Sequence, residues 1–402
     1  MTRRTGPVTA VLAALLVAGC GAPEAASVAG GGAGSAPAAT TAQPTRTGTP
    51  ELRVSTVADG LSHVWDVGFL PDGRVLVTER DGRLALLSAA TEGASVTPVA
   101  ADFGDLLVRG EGGLMGLVVH PDFAQSRRFT TCQTHTEAGR PVDVRLVTWT
   151  LSADGTRADR VVDPLIGGLP VNPSGRHSGC RPTLAADGAL LVGTGDTARG
   201  NLPQDLGSLG GKVLRADLAT GRPAPGNPDE GSLVLTYGHR NVQGVAVRPS
   251  DGAVYTAEHG PTTDDEVNLL RPGGNYGWDP AQGGTVGGYD ESVPMTDLDR
   301  YPDAVPAAWS SGSPVEAVAG AAFLAGPQWG DLDGTLAVAA LRGSKLLLMT
   351  IGADGAVTSV AVPPPLDHTY GRLRAVRTGP DGALFVSTSN GDDDKVLRVD
   401  PA

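Results

Sequence analysis

Short stretches of alternating apolar and polar residues recur along the chain, and most contain a turn of the Asp-Gly type. Five of them cover residues 67–79, 184–196, 245–260, 330–341 and 376–392, and a looser relative covers 117–135. Asp-Gly between alternating apolar residues is a strong signal for a β-hairpin. The pattern therefore predicts six repeated hairpins.

Several of these hairpins are followed by a further apolar strand, such as KVLRAD from residue 212 and KVLRVD from residue 395. Four-stranded antiparallel units repeated in this way are typical of a β-propeller, whose blades stack around a central axis. A β-helix would need a shorter and stricter period, and a sandwich would not need six equivalent hairpins. We therefore predict an all-β fold, a six-bladed β-propeller over residues 51–402.

Composition agrees with many short strands joined by tight turns. Among 402 residues, 57 are Gly and 31 are Pro, and aromatic residues make up only 4%. The formal net charge of −13 argues against nucleic acid or an anionic membrane surface as the main partner, because both attract basic patches.

The first residues, MTRRTGPVTAVLAALLVAGC, have the character of an export signal. A basic start precedes an apolar run from Val8 to Ala18, which is too short to span a bilayer permanently. The small residues before Cys20 resemble a bacterial lipobox, in which that Cys is acylated. We predict a lipoprotein-type signal at 1–20, with a plain secretory signal as the alternative. A disordered Ala/Gly/Pro/Thr linker is predicted at 21–50.

Two further cysteines, Cys132 and Cys180, belong to the predicted propeller. Export permits a disulfide between them, but their spacing does not establish that they meet.

The segment GRHSGCR places His177 directly before a predicted strand, where a propeller loop faces the central channel. A neutral imidazole at that point could accept a proton. Asp196, at the end of the following hairpin, could hold the imidazole tautomer or could equally cap a turn. A single histidine on a loop is more commonly a structural hydrogen-bonding group.

Arginines recur in two other segments. In YGHRNVQG, Arg240 and Asn241 offer a planar cationic fork beside an amide, which suits recognition of a carboxylate or carbonyl. In YGRLRAV, Arg372 and Arg374 alternate by two and would share one face of a strand. Two like charges side by side favour a bound anion between them, although two solvated surface arginines are the simpler alternative.

Residues 236–278 collect the highest density of ligand-type groups. Asp264, Asp265 and Glu266 follow the Gly260-Pro261 pair. Irregular loops rich in carboxylate and carbonyl oxygens suit Ca²⁺. An acidic run of three is, by itself, more often a solvated turn.

Taken together, the segments resemble the soluble PQQ-dependent aldose sugar dehydrogenases of the glucose/sorbosone dehydrogenase family. The matching segments occur in the family's order over most of residues 51–399: GEGGLMGLVVHPDF, GRHSGCR, GTGD with GGKVLR, YGHRNVQG, EHGPTTDDEVNLLRPGGNYGW and GRLRAV. The resemblance implies a six-bladed propeller that binds pyrroloquinoline quinone (PQQ) and Ca²⁺. It also implies oxidation of the anomeric hydroxyl of an aldose to a lactone, with hydride passing to the quinone. An external electron acceptor would then reoxidise the cofactor.

The resemblance also assigns residues. The family's catalytic positions correspond to His177 as general base, Asp196 as the acid that orients it, and Arg240. The cofactor contacts correspond to Glu111, His177, Arg240, Asn241, Arg342, Arg372 and Arg374. The carbonyls of Gly260 and Pro261 match ligands of a catalytic Ca²⁺, whereas Glu266 and the Tyr276 carbonyl match a second, structural Ca²⁺ site.

Four positions depart from the family's usual pattern, of which Val242, in place of a frequent Pro, is expected to be a mild change. Glu111 stands where a Gln is common, and a carboxylate beside an anionic cofactor weakens binding unless it is protonated or paired. Arg342 stands where a Lys is usual. Cys180 stands where a Ser is common, which supports a disulfide with Cys132.

Two other functions compete with this interpretation. One is a non-catalytic carbohydrate-binding or interaction propeller that has lost PQQ, for which Glu111 is the main support. The other is a Ca²⁺-dependent lactonase, which would need a ring of acidic and amide side chains at the channel. The arginine cluster argues against the lactonase.

Overall fold

A computed structural model describes residues 48–281 and 288–402. The predicted signal peptide, the acylation site Cys20 and most of the predicted linker lie outside the described residues. Within the described ranges, 24 strands form six four-stranded antiparallel sheets, which confirms the predicted six-bladed propeller. No helix in these ranges is long and apolar enough to cross a membrane.

The strands follow each other blade by blade along the chain. The N-terminal strand is β1 (Leu52–Leu61). The first three blades contain β2 (Val64–Phe69), β3 (Val75–Glu79), β4 (Arg83–Leu87) and β5 (Val96–Val99); then β6 (Leu114–Val119), β7 (Arg128–Glu137), β8 (Arg140–Leu151) and β9 (Ala158–Leu169); then β10 (Arg181–Leu184), β11 (Leu190–Gly193), β12 (Lys212–Ala216) and β13 (Val234–Tyr237).

The last three blades complete the ring. They contain β14 (Val242–Val247), β15 (Val254–Glu258), β16 (Glu266–Leu269) and β17 (Trp309–Ser310); then β18 (Val318–Phe323), β19 (Leu336–Ala340), β20 (Lys345–Ile351) and β21 (Val357–Ala361); then β22 (Leu373–Thr378), β23 (Leu384–Thr388) and β24 (Asp394–Pro401). The helical elements are short: α1 (Phe123–Ser126) and two 3₁₀ turns at Pro327–Leu332 and Pro364–Leu366.

Burial along the strands explains why the inner strands are so apolar. Every residue of β3, VLVTE, is buried, because the blades on both sides cover the two faces of an inner strand. The outer strand β21, VTSVA, has one covered edge and is largely exposed. The hydrophobic core therefore lies between neighbouring blades.

The predicted hairpins are the first two strands of each blade, with one difference in the fifth. There the 3₁₀ turn Pro327–Leu332 separates β18 from β19, so the predicted hairpin at 330–341 contains only its second strand. Trp329 in this turn is buried and donates a hydrogen bond to the carbonyl of Gly382 at 2.8 Å. The inserted turn thus packs against the neighbouring blade.

The N-terminal strand closes the ring. β1 pairs antiparallel with β24, with Leu52 opposite Pro401 and Leu61 opposite Asp394. The last sheet therefore has the order β1-β24-β23-β22, and its outer strand comes from the opposite end of the chain. This pairing ties both ends of the domain into one blade.

The topology brings most of the candidate residues to one end of the central channel. In each blade the innermost strand begins, and the antiparallel second strand ends, at this same end. Glu111, His177 and Arg240 directly precede or lie close before innermost strands, whereas Asp196 and Gly260 follow second strands. The Asp-Gly turns lie at the other end, so the two ends have different chemistry.

Candidate active site

His177 and Asp196 form a buried pair. Nδ1 of His177 lies 2.6 Å from Oδ1 of Asp196, and both side chains are almost fully buried. Burial alone would raise the pKa of Asp196, but the His177 ring, Arg240 and hydrogen bonding lower it. The carboxylate is therefore ionised and can accept a hydrogen bond from a protonated Nδ1. Nε2 of the neutral ring then keeps its lone pair.

The backbone around this pair is tightly constrained. His177 has φ of 53°, in the left-handed region that few non-glycine residues adopt. A Cβ at Gly195 would come within 1.9 Å of the His177 carbonyl oxygen, so the GTGD segment requires glycine there. Close packing of the two segments holds the imidazole and the carboxylate in register.

Arg240 lies beside the pair. Its Nη1 donates to the His259 carbonyl at 2.9 Å, and its Nη2 donates to Glu291 at 2.7 Å, while its buried Nε has no hydrogen-bond partner among the described residues. Glu291 also forms an ion pair with Arg176, whose Nε lies 3.2 Å from Nε2 of His177.

The Glu111 carboxylate is held by neutral donors. Its Oε2 accepts hydrogen bonds from the side-chain amides of Asn241 and Gln243, each at 3.0 Å, and from the Ser178 backbone at 3.3 Å. Burial alone would raise the pKa of Glu111, but nearby imidazoles, the Asn241 amide and Arg374 lower it. Glu111 is therefore an ionised, hydrogen-bonded carboxylate.

Arg374 is a buried cation without an ion-pair partner among the described residues. Its Nη1 donates to Oε1 of Gln243 at 3.2 Å, and its guanidinium lies 5.3 Å from the centre of the Trp65 ring. Burial and the nearby charge of Arg181 lower the pKa of Arg374 to about 9, although the charge of Glu111 opposes them. It remains charged at neutral pH.

The other two predicted arginines are exposed. Arg372 lies just before β22, and its backbone donates to Oδ1 of Asn390 at 2.9 Å. Arg342 lies in the turn after β19, where its backbone donates to the Glu316 carbonyl at 2.9 Å. Neither guanidinium forms an ion pair with a residue in the described part of the chain. The structure thus places Arg374 in the buried cluster, whereas Arg342 forms no hydrogen bond with any residue of that cluster.

His259 contributes another uncommitted group. Its Nε2 is buried and has no partner among the described residues, although its backbone donates to the Asn241 carbonyl at 3.1 Å. Burial and the positive charges of Arg240 and Arg374 outweigh the opposing effect of Glu111 and lower the pKa of His259 to about 4. The ring is therefore neutral at pH 7.

The predicted metal residues follow β15. The Gly260 backbone donates to Oδ1 of Asp265 at 2.8 Å, and neither the Gly260 nor the Pro261 carbonyl accepts a hydrogen bond from a described residue. Within residues 48–281 and 288–402, no group of three or more His, Cys, Asp or Glu side chains is arranged to hold a metal.

Glu266 lies deeper in the same blade. It is opposite Glu258 in the register of β15 and β16, and its carboxylate accepts from Thr296 at 2.9 Å and from Asn268 at 3.2 Å. Burial and the Glu258 charge raise the pKa of Glu266 to about 8. Tyr276 is also buried, and its hydroxyl donates to the Leu269 carbonyl at 2.7 Å.

The predicted disulfide is present. Cys132 in β7 is bonded to Cys180, and both side chains are fully buried. The two positions differ by 48 in the sequence numbering. Because Cys180 lies three residues after His177, the bond ties the histidine segment to the adjacent blade.

Several residues at this site, Gln243, Trp278, Tyr289 and Glu291 among them, were not predicted from sequence. Gln243 lies within the YGHRNVQG segment and Trp278 within NYGW, so their position in those segments was a usable signal. Trp278 donates to Oδ2 of Asp196 at 2.8 Å. Tyr289 and Glu291 lie in GGYDES, which has no distinguishing pattern, and no sequence signal would have identified them.

Comparisons with known proteins agree on one family. Residues 61–398 match the family model described as glucose/sorbosone dehydrogenase. The aldose sugar dehydrogenase YliI of Escherichia coli is 29% identical over 358 residues, which cover 87% of this chain and 93% of that protein.

Two solved structures are also similar. A Thermus thermophilus oxidoreductase described as a glucose dehydrogenase is 37% identical with a TM-score of 0.70, over 87% of this chain and 99% of that chain. The PQQ-bound aldose sugar dehydrogenase of Streptomyces coelicolor is 29% identical with a TM-score of 0.69, over 88% of this chain and 100% of that chain.

Proposed function

Because the chain belongs to the glucose/sorbosone dehydrogenase family, we propose that it is a PQQ- and Ca²⁺-dependent dehydrogenase that oxidises aldose sugars at the anomeric carbon to lactones. The similar proteins include an aldose sugar dehydrogenase and a PQQ-bound relative. The electrons leave through an external acceptor.

One observation carries the proposal: a buried cation that forms no ion pair with a described residue lies in the same cluster as a His–Asp pair. Arg374 has no ion-pair partner among the described residues and donates to Gln243 and Ser389, in a protein whose formal net charge is −13. Burying an unpaired charge is costly, so such a site favours an anionic ligand. PQQ is a tricarboxylate and meets this requirement.

The donors at the site fit that ligand. Arg374, the free Nε of Arg240 and the exposed Arg372 supply positive hydrogen-bond donors, which bind carboxylates more strongly than neutral donors do. The buried Nε2 of His259 also lacks a partner among the described residues. Asn241 and Gln243 hold Glu111 in place, so its charge is partly offset by their amides.

When bound, the quinone would supply the hydride acceptor, and Ca²⁺ would act as a Lewis acid on its carbonyl. The uncommitted carbonyls of Gly260 and Pro261 would contribute to the catalytic metal site. Glu266, with the Tyr276 carbonyl, would serve the structural one. The paired carboxylates of Glu258 and Glu266 support a cation there, because burying both as anions is unfavourable without one.

His177 would remove the proton from the anomeric hydroxyl. Asp196 holds the tautomer with the proton on Nδ1, so Nε2 is the atom that accepts it. In the structure Nε2 lies within hydrogen-bond distance of Nε of the half-exposed Arg176. A substrate hydroxyl would replace that contact.

We also propose that the protein is exported and held at the outer face of the cell membrane by acylation of Cys20. The support is the sequence of the first 20 residues. Replacing Cys20 with Ala should release the protein from the membrane fraction. Retention of the variant in that fraction would contradict lipid anchoring.

Activity is tested by mixing the purified protein with PQQ, Ca²⁺, an aldose and an artificial dye. Wild type should reduce the dye, and absence of reduction across a broad sugar panel would contradict the proposal. His177→Ala should lower kcat by at least about 10²-fold, the usual contribution of a general base, and leave PQQ binding largely intact. His368→Ala, which changes a 68% exposed histidine, is the control and should keep full activity.

A further inference from the structure

Tyr289 contacts the His177–Asp196 pair and has no role in the mechanism described above. We infer that Tyr289 is a positioning residue that orients His177 and tunes it as a base, acting through the Asp196 carboxylate. The inference rests on the proposed role of His177. The Tyr289 hydroxyl donates a hydrogen bond to Oδ2 of Asp196 at 2.8 Å and lies 3.3 Å from Nδ1 of His177.

The contacts of Asp196 show why one more donor matters. Oδ1 accepts from Nδ1 of His177 and from the Ala198 backbone at 2.8 Å. Oδ2 accepts from Nε1 of Trp278 and from the Tyr289 hydroxyl, both at 2.8 Å. A carboxylate has about four lone-pair sites, so all of them are used. These contacts hold the carboxylate in one orientation. The fourth hydrogen bond forms only when Nδ1 of His177 carries the proton.

The Tyr289 hydroxyl also changes how strongly Asp196 attracts a proton. A hydrogen bond to a carboxylate stabilises its charge and makes it a weaker partner for an imidazolium. Without that bond, Asp196 would hold the protonated ring more firmly. A larger fraction of His177 would then be protonated at a given pH and unable to act as a base. Loss of the hydroxyl should therefore reduce activity mainly on the acid side.

Other groups that face this histidine stay unchanged when only the hydroxyl is removed. The charged and titratable groups around the His177 ring are Arg176, Asp196, Glu111 and His259, with Arg240 acting on Asp196. The Tyr289 ring packs edge-on against Trp278 with centroids 6.2 Å apart, and the Arg176 guanidinium lies 5.5 Å from its centre. Phenylalanine preserves the ring contacts.

The matched control is Tyr301. Its hydroxyl donates to Oδ2 of Asp279 at 2.7 Å, which is the same kind of bond, but no contact joins Asp279 to His177 in the described structure. Tyr289→Phe and Tyr301→Phe thus remove equivalent groups, and only one of them reaches the base.

The first experiment measures kcat and KM against pH for the PQQ-loaded wild type and both variants. Tyr289→Phe should move the acid limb of kcat/KM to higher pH and lower kcat about five- to tenfold there, the usual worth of one hydrogen bond. KM should stay the same, and Tyr301→Phe should match wild type. An unmoved acid limb, or a rise in KM with constant kcat, would overturn the inference.

The second experiment needs neither cofactor nor sugar. In the proton NMR spectrum of the cofactor-free protein, the Nδ1 proton of His177 should give a downfield resonance that disappears in His177→Gln. Tyr289→Phe should shift this resonance, and Tyr301→Phe should not. An unshifted resonance in Tyr289→Phe would contradict the inference even if the sugar dehydrogenase proposal failed independently.

Discussion

Two buried arginines lie over the same tryptophan and differ in their counter-ions. The guanidinium of Arg181 lies 4.3 Å from the centre of the Trp65 ring, and that of Arg374 lies 5.3 Å from it. Arg181 forms an ion pair with Asp66 at 2.9 Å, whereas Arg374 has no such partner among the described residues. The same residue type thus forms a direct ion pair in one position and forms none with a described residue in the other.

The paired cluster has a structural role. Asp66 also accepts from Nη2 of Arg377 at 2.6 Å and from the Leu117 backbone at 3.2 Å. Arg377 in turn donates to the Pro182 carbonyl at 3.0 Å. These contacts join the innermost strands β2, β6, β10 and β22. Burial alone would raise the pKa of Asp66, but the two arginines lower it, so the carboxylate is charged and both cations pair with it.

The unpaired cluster lies toward the end of the channel that carries His177 and Asp196. Because a buried cation without an ion pair lowers stability, its presence is explained by what it binds rather than by what it holds together. A buried charge that is ion-paired within the fold supports the fold, and a buried charge without an ion pair marks a ligand site. GRHSGCR illustrates this, since His177 belongs to the site and Arg181, four residues later, belongs to the structural cluster.

The largest expected effect is on the paired cluster. Asp66→Asn leaves two buried cations without an anion and should lower the free energy of unfolding by about 3–5 kcal/mol. Chemical denaturation of the cofactor-free protein measures it. Asp72→Asn is the control, since it breaks a surface pair with Arg74 that should contribute about 1 kcal/mol or less. Equal effects of the two variants would contradict the structural role of Asp66.

The next effect is on the unpaired cluster. Arg374→Met should weaken PQQ binding by about 10²-fold, because a buried charge-assisted contact is lost. The stability of the cofactor-free protein should stay the same or rise. Equilibrium dialysis with PQQ and Ca²⁺, combined with denaturation, measures both.

Arg377→Met, on the same strand, is the matched control for Arg374→Met. It should show the reverse pattern, with a clear loss of stability because Asp66 loses a partner. If Arg374→Met destabilises the cofactor-free protein as much as Arg377→Met does, the distinction between the two clusters fails.

The smallest effect concerns the carboxylate near the unpaired cluster. Glu111→Gln keeps an oxygen that can accept from Asn241 and Gln243 but removes the negative charge. PQQ should bind about five- to tenfold more tightly, because the variant removes a partly screened repulsion between the Glu111 carboxylate and the anionic cofactor. Weaker binding by the Gln variant in the same dialysis assay would show that Glu111 favours the cofactor instead.

Local sequence patterns predicted the parts of the molecule that depend on local structure. Asp-Gly turns between alternating apolar residues identified the repeated hairpins, and the position of His177 before a predicted strand placed it at the central channel. The segments shared with the family supplied the roles proposed for the site residues. Asp196 was also correctly grouped with His177, although the sequence left turn capping as an alternative.

Other features depend on closure of the ring and leave no local pattern. Asp66 and Arg377 are 311 residues apart in sequence, and they meet only because the first and last blades are neighbours. The pairing of β1 with β24 has the same origin. Tyr289 reaches Asp196 from a segment 93 residues later, so its contact could not be predicted from either segment alone.

The absorption spectrum of the purified protein with PQQ and Ca²⁺, recorded without oxygen before and after an aldose is added, tests the central claim most directly. The protein should retain PQQ through gel filtration, and the aldose should convert the spectrum of the oxidised cofactor to that of the reduced one. Arg374→Met should retain much less PQQ under the same conditions. Loss of PQQ from the wild type, or a spectrum that no aldose changes, would contradict the claim.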